Sequence, residues 1–171
     1  MEIHDLGAIA EMLSAIGVLA TLVYLSRQVR QGNMLARAQV RQHMVEQANL
    51  ELYQWMGDAN LRDCFARTTP LTAEEQGKIH FFLLAAMRQR EWEWLQYRDG
   101  LITADVYKAY SEVVGLHLGV PRTRRWWSSV GRVGFDPAFV AEMDAMIAGR
   151  PPISYFADLL TFDTPAAAAP A

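Results

Sequence analysis

Residues 6–26, LGAIAEMLSAIGVLATLVYLS, run for twenty-one positions with one charge, Glu11, and are followed by Arg27, Arg30, Arg37 and Arg41. Wound as a helix, a segment of that length and apolarity reaches across the ~30 Å hydrocarbon core of a bilayer. Residues 1–31 therefore read as a transmembrane anchor. Lys and Arg near the end of a span are held on the cytoplasmic side, and acidic residues count for little. Residues 1–5 contain Glu2, His4 and Asp5 and no Lys or Arg, whereas residues 27–46 contain four Arg and one acidic residue, Glu46. The expected placement is the inner membrane, with the N-terminus outside, the body in the cytoplasm and lipid as a partner. A secretory signal peptide would need a basic start, a shorter apolar core and a small-residue cleavage site, and these residues offer none of the three. A buried central helix of a soluble bundle is the competing reading, which the all-round apolar character permits.

Beyond the anchor about 130 of the 171 residues remain, enough for one domain with a real core. A net charge of −3 argues against nucleic acid as a partner, because phosphate affinity needs Lys and Arg clustered over a whole domain. A single cysteine, Cys64, excludes an internal disulfide and a cysteine-based zinc site.

Helical periodicity dominates the chain after the anchor. Over residues 34–56 the apolar Leu35, Ala38, Val45, Ala48, Leu52 and Trp55 or Met56 recur at helical spacing between Arg, Gln and Glu. Gly32 and Asn33 mark the expected bend between this helix and the anchor; the alternative is one unbroken rod of roughly 80 Å. Residues 60–70 predict one or two helical turns. Thr72 with Glu74 and Glu75 predicts a capped start to a helix over 73–98. Its faces carry Ile79, Phe82, Leu83, Ala86, Arg90, Trp94 and Tyr97, and Phe81, Leu84, Arg88, Glu91 and Leu95, which makes it the central helix. Thr103 caps a next helix through His117, another covers 122–130, and Asp136 with Pro137 opens a last one to Ala148. The fold class is all-α: a single N-terminal transmembrane helix followed by a small helical bundle, a cytosolic helical domain over 32–150. Residues 151–171, ending TPAAAAPA, form a C-terminal extension, partly disordered.

Three stretches together carry a resemblance. They are YLSRQVRQ (24–31), REWEWLQYRDGL (90–101), and Arg124, Arg125, Trp126 and Trp127 with Arg132, Phe135, Pro137 and Phe139 after them. The chain resembles, over about residues 6–147, a widespread group of uncharacterised bacterial proteins with one membrane helix and a small helical body. Gly32 with Asn33 departs from that group's Asn followed by Thr. The resemblance implies architecture only, with no activity to carry over.

Candidate chemistry is sparse. Gly7, Glu11, Ser14, Gly17 and Thr21 fall at threes and fours on the anchor, a small and polar stripe suited to packing against another membrane helix. Placement of Glu11 in the headgroup zone, or along an ion path, are the alternatives. Arg88, Arg90, Glu91 and Glu93 allow two ion pairs at a spacing of three, 88 with 91 and 90 with 93. Catalysis by Glu91 and Glu93 would need a nucleophile or metal set that does not accompany them. His43, His80 and His117 lie on separate predicted helices and read as surface or partly buried rings, with no metal motif. Arg122, Arg124, Arg125 and Arg132 around Trp126 and Trp127 suit either a membrane interface or a core with paired arginines.

The expected function is therefore that of an uncharacterised single-pass membrane protein without enzymatic activity or cofactor. Its body self-associates as a homo-oligomer or serves as an accessory subunit of a larger membrane complex. The alternatives are a soluble or peripheral enzyme or ligand-binding bundle using the region from Arg88 to Glu93, and, more distantly, an oligomeric pore lined by Glu11.

Overall fold

Gly32 and Asn33 do not interrupt the first helix. In the computed structural model, which describes residues 3–153, α1 runs unbroken over Ile3–Gly57. One glycine in a helix costs about 1 kcal/mol relative to alanine. That is too little to break a helix whose neighbours Leu35, Ala36, Arg37 and Ala38 are strong helix formers. The chain divides into two compact units, Met1–Gln42 and His43–Ala171. The expectation for the C-terminal extension beyond residue 153, and that for the Gly7 face, lie outside the described residues and side chains.

In the first unit, residues 11–35 are all exposed, including Leu13, Ile16, Leu19, Leu22, Val23 and Leu25. Thr21 donates its hydroxyl to the Gly17 carbonyl at 2.8 Å, satisfying the one polar group it would otherwise leave bare. The helix has the length and composition to cross a membrane, a property shared by signal sequences and by core helices of soluble proteins.

In the second unit, the stretch of α1 from His43 onward has two faces. Met44 is buried, and Gln47, Ala48, Glu51 and Trp55 are half-buried, whereas Val45, Asn49, Leu52 and Met56 are exposed. The apolar residues at helical spacing therefore split: Ala48 and Trp55 turn to the body and Val45, Leu52 and Met56 away from it. Asp58 stops α1 and caps α2 (Ala59–Ala66) by accepting from the Leu61 amide at 2.9 Å. Helix α3 (Ala73–Arg98) opens on a full capping box, in which Thr72 accepts from the Glu75 amide and Glu75 accepts from that of Thr72. The Thr72 amide and the Arg67 guanidinium together hold the Glu75 carboxyl down at about 2.

Helix α3 is the core element. It packs against α2, α4 (Ala104–His117) and the turn Trp127–Gly131, and α4 in turn packs on α6 (Pro137–Ala148). Thr103 stands at the start of α4 but makes no side-chain cap there, contrary to the expectation. Gly100, at φ +72°, makes the left-handed turn between α3 and α4 that an L side chain resists. The helix expected over 122–130 is instead a short α5 (Pro121–Trp126) continued by a π-helical turn, Trp127–Gly131. With the extra residue, Trp126 and Trp127 are both buried, and they bond to opposite sides. The Trp126 indole donates to His80 Nδ1 of α3 at 3.0 Å and that of Trp127 to Asp144 Oδ1 of α6 at 2.9 Å. Trp94 donates in the same way to Glu142 at 2.6 Å, and the Tyr107 hydroxyl reaches the other oxygen of that carboxylate at 2.6 Å. Among the described residues there is no strand.

A Cβ on Gly131 would meet the Trp126 ring at 2.7 Å, whereas one on Gly77, inside α3, would meet nothing within 4 Å. Gly131→Ala is expected to destabilise the body by about 1–3 kcal/mol through overpacking. Gly77→Ala is expected to leave stability unchanged or raise it by up to about 1 kcal/mol. Urea denaturation followed by tryptophan fluorescence checks both.

Candidate functional site

Arg90 is the residue around which the polar interior is arranged. It is only 3 % exposed, yet carries a charge that cannot be shed, so acceptors have to come to it. Helix α3 supplies Glu93 (Nη1 to Oε2, 3.1 Å), α1 supplies Glu51 (Nη2 to Oε2, 3.3 Å), and α4 supplies the Tyr110 carbonyl at 3.4 Å. Glu51 also holds His117 of α4, with 2.6 Å between its Oε1 and Nε2. Gln89 donates to the other oxygen of Glu93 at 3.2 Å. His117 is thus deeply buried, at 2 % exposure, and corrects the expectation of a surface or partly buried ring. The reason is Glu51, whose partnership no local spacing around His117 announces.

The two carboxylates on Arg90 are driven apart. Burial pushes Glu51 up, but the hydrogen bond and charge of His117, with Arg90, outweigh it and hold the group below its ordinary range. Burial also pushes Glu93 up, and there Arg90 and Gln89 do not outweigh it, so its carboxyl stays raised. A pair separated in this way is what acid–base chemistry uses. Glu93, however, is 1 % exposed, and the open space beside the cluster is lined by Glu51, Arg90 and Tyr110 but not by Glu93. That space is a depression of about 340 Å³ with largely apolar walls, among them Ala48, Leu52 and Val113. The cluster joins α1, α3 and α4.

Arg88 and Glu91 form the second pair on α3, at 2.8 Å, on a different face. The free oxygen of Glu91 accepts from the Asp136 amide at 2.6 Å, and the Arg88 guanidinium lies 4.2 Å above the Phe135 ring. Glu91 and Glu93 accordingly serve different partners, with no shared site between them.

A cavity of about 810 Å³ forms a groove bounded by residues 68–71, the first half of α3, α5 and the π-helical turn. Phe81, Val130 and Trp126 give it apolar walls, and Arg122, Arg125 and His80 give it positive or donor groups. Two of the three are partly committed. Arg122 bonds to the carbonyls of Cys64 and Thr69, and burial followed by the nearby Arg125 lowers its pKa. His80 accepts the Trp126 indole on Nδ1, which places the proton of a neutral ring on Nε2. Arg125 is exposed, and its guanidinium has no hydrogen-bond or ion-pair partner among the described residues. Arg124 is spent on the carbonyls of Leu118, Arg150 and Pro151, and Arg132 on Asp144 at 3.0 Å. Sequence reasoning had the arginines of this stretch but not the groove, because its far wall comes from α3 and the 68–71 loop.

On α1, Glu11, Ser14, Gly17 and Thr21 are exposed, as are Arg27, Arg30, Arg37 and Arg41. His43 meets the Trp92 ring edge-on, with 4.6 Å between centroids. No group of three or more metal-ligating side chains occurs among the described residues. No family model, curated protein or solved structure matches this chain.

Glu51 stabilises the fold while ionised, so its contribution is complete above the ordinary carboxyl value of 4.5 and is lost as pH falls through its lower folded value. Glu93 has the opposite sign: its contribution is complete below that ordinary value and fades as pH rises through its raised folded value. Glu51→Gln, which strips Arg90 and His117 of a charged acceptor, is expected to cost about 3–5 kcal/mol near neutral pH. Glu93→Gln is expected to cost less than half as much near neutral pH, and its difference from wild type to widen as pH falls from about 8 to about 5. Urea midpoints across that range test the pair.

Proposed function

We propose that the chain is a single-pass inner-membrane protein, a member of the bacterial group it resembles, with its N-terminus outside and a helical body in the cytoplasm. The body works by association, with copies of itself or as an accessory subunit of a membrane complex, and not as an enzyme. The observation that carries this reading is the exposure of every residue from 12 to 26, an apolar surface that water penalises and lipid does not. The hydroxyl of Thr21, closed onto its own helix, and the arginines that come after the apolar run support it further. The buried cluster on Arg90 suits a body whose polar interior serves cohesion.

Alkaline extraction of membranes from the native host is expected to leave the full chain in the pellet. A chain lacking residues 1–30 is expected in the soluble fraction with its helical circular dichroism retained. Release of the full chain by alkali overturns the anchored reading.

The groove favours one second reading, a ligand-binding body. An Arg125 guanidinium without a partner among the described residues, beside apolar Phe81 and Val130, fits an anion with an apolar tail. Trp126 lines the groove, so titration with a single-chain alkyl phosphate is expected to shift tryptophan emission, and Arg125→Glu to weaken binding at least about tenfold. An unchanged spectrum over the whole titration removes this reading.

A further inference from the structure

Along α1, residues Leu35, Ala38, Gln42, Val45, Asn49, Leu52 and Met56 recur at alternating spacings of three and four. This is the a and d pattern of a coiled-coil seam, with Leu35, Gln42, Asn49 and Met56 at a and Ala38, Val45 and Leu52 at d. The same alternation holds upstream through Gly7, Ala10, Ser14, Gly17, Thr21 and Tyr24, where small residues allow close helix approach in lipid. Glu11 flanks it. In the body the stripe is bare: Val45, Asn49, Leu52 and Met56 are exposed, while the neighbouring stripe of Met44, Ala48, Glu51 and Trp55 is buried or half-buried. The second unit thus uses one face of the helix for its own core and leaves the heptad face without cover.

We infer that α1 pairs with α1 of a second copy of this chain as a parallel, in-register, two-stranded coiled coil. Three features select that occupant. Asn49 at a core a position favours a parallel dimer, in which it meets its own counterpart, over higher assemblies. Arg41 falls at g and Glu46 at e, so in a parallel pair Arg41 lies opposite Glu46 of the partner subunit, a complementary contact that five residues of separation do not give within one helix. The apolar depression beside Arg90 opens onto the stripe at Leu52, leaving apolar space next to the seam. The parallel sense rests on the anchored reading, since two copies inserted in the same orientation run side by side. A strict seven-residue repeat on a helix of 3.6 residues per turn gives the pair a left-handed supercoil.

The test is disulfide trapping of the full chain in membranes. Val45→Cys and Leu52→Cys place a thiol on the seam, and Gln54→Cys places one at f, away from it. All three positions are exposed, so the core is undisturbed. The parent chain, whose lone Cys64 is buried, sets the background. Mild oxidation is expected to yield dimer at both seam positions at least about fivefold above Gln54→Cys, since only a parallel, in-register pair brings identical residues together at both sites. Arg41→Glu in the Leu52→Cys chain is expected to lower the yield and added Glu46→Arg to restore it. Equal trapping at all three positions, or none on the seam, overturns the pair. Alkaline extraction of the same membranes separates the two readings. A chain that stays in the pellet without seam trapping refutes the pair alone, and one that is released yet traps at both seam positions refutes the anchor alone.

Discussion

The body depends on a buried guanidinium that cannot be neutralised. Arg90 stands in the middle of α3, and its charge draws a carboxylate from its own helix, a second from α1 and a carbonyl from α4. A charge of that kind, taken from water, adds little net stability but penalises every arrangement in which its partners are absent. It therefore fixes which helices meet and in which register. Glu51 extends the constraint by binding His117 as well, so one carboxylate from α1 answers both α3 and α4. Apolar packing among Leu83, Met87, Trp127, Phe139 and Met143 supplies the driving force, but such contacts tolerate sliding in a way the cluster does not.

The indoles play a similar part elsewhere in the body. Trp94, Trp126 and Trp127 fill the core with ring area, and each carries one N–H that burial obliges to find an acceptor. Glu142, His80 and Asp144 provide the three, all from elements other than the donor's own. Arginines that could have faced solvent are likewise used on backbone carbonyls: Arg122 on those of Cys64 and Thr69, Arg124 on those of Leu118 and Arg150. These bonds join short helices whose individual apolar faces are too small to hold them in place.

Much of the helical order was legible because it is written in local signals. Thr72 with Glu75 and Asp136 with Pro137 are caps made by residues within one turn of each other, and the apolar spacing of Ile79, Leu83, Ala86 and Trp94 is that of a single helix. The pairing of Arg90 with Glu93 was legible for the same reason. What escaped the sequence is long-range. Glu51 and His117 lie far from Arg90 along the chain, and nothing about either residue in isolation names the other. The groove beside Arg125 is invisible until α3 and the 68–71 loop stand opposite α5. Gly32 and Asn33 carried a true but weak breaking tendency, which the helix formers around them outweigh.

The π-helical turn at Trp127–Gly131 makes this part of the chain sensitive to length as well as to composition. One residue more than an α-helical turn is wound into it, and both neighbouring indoles depend on that surplus for their direction. Removing a single serine from the pair 128–129 would reset the winding and rotate every downstream residue by roughly 100°. Phe135 and the whole of α6 would then swing off their seats even though no core side chain had been altered. Point substitution on the exposed serines is a mild perturbation, whereas a one-codon deletion at the same place is a topological error. Residue identity there is thus forgiving, but residue count is not.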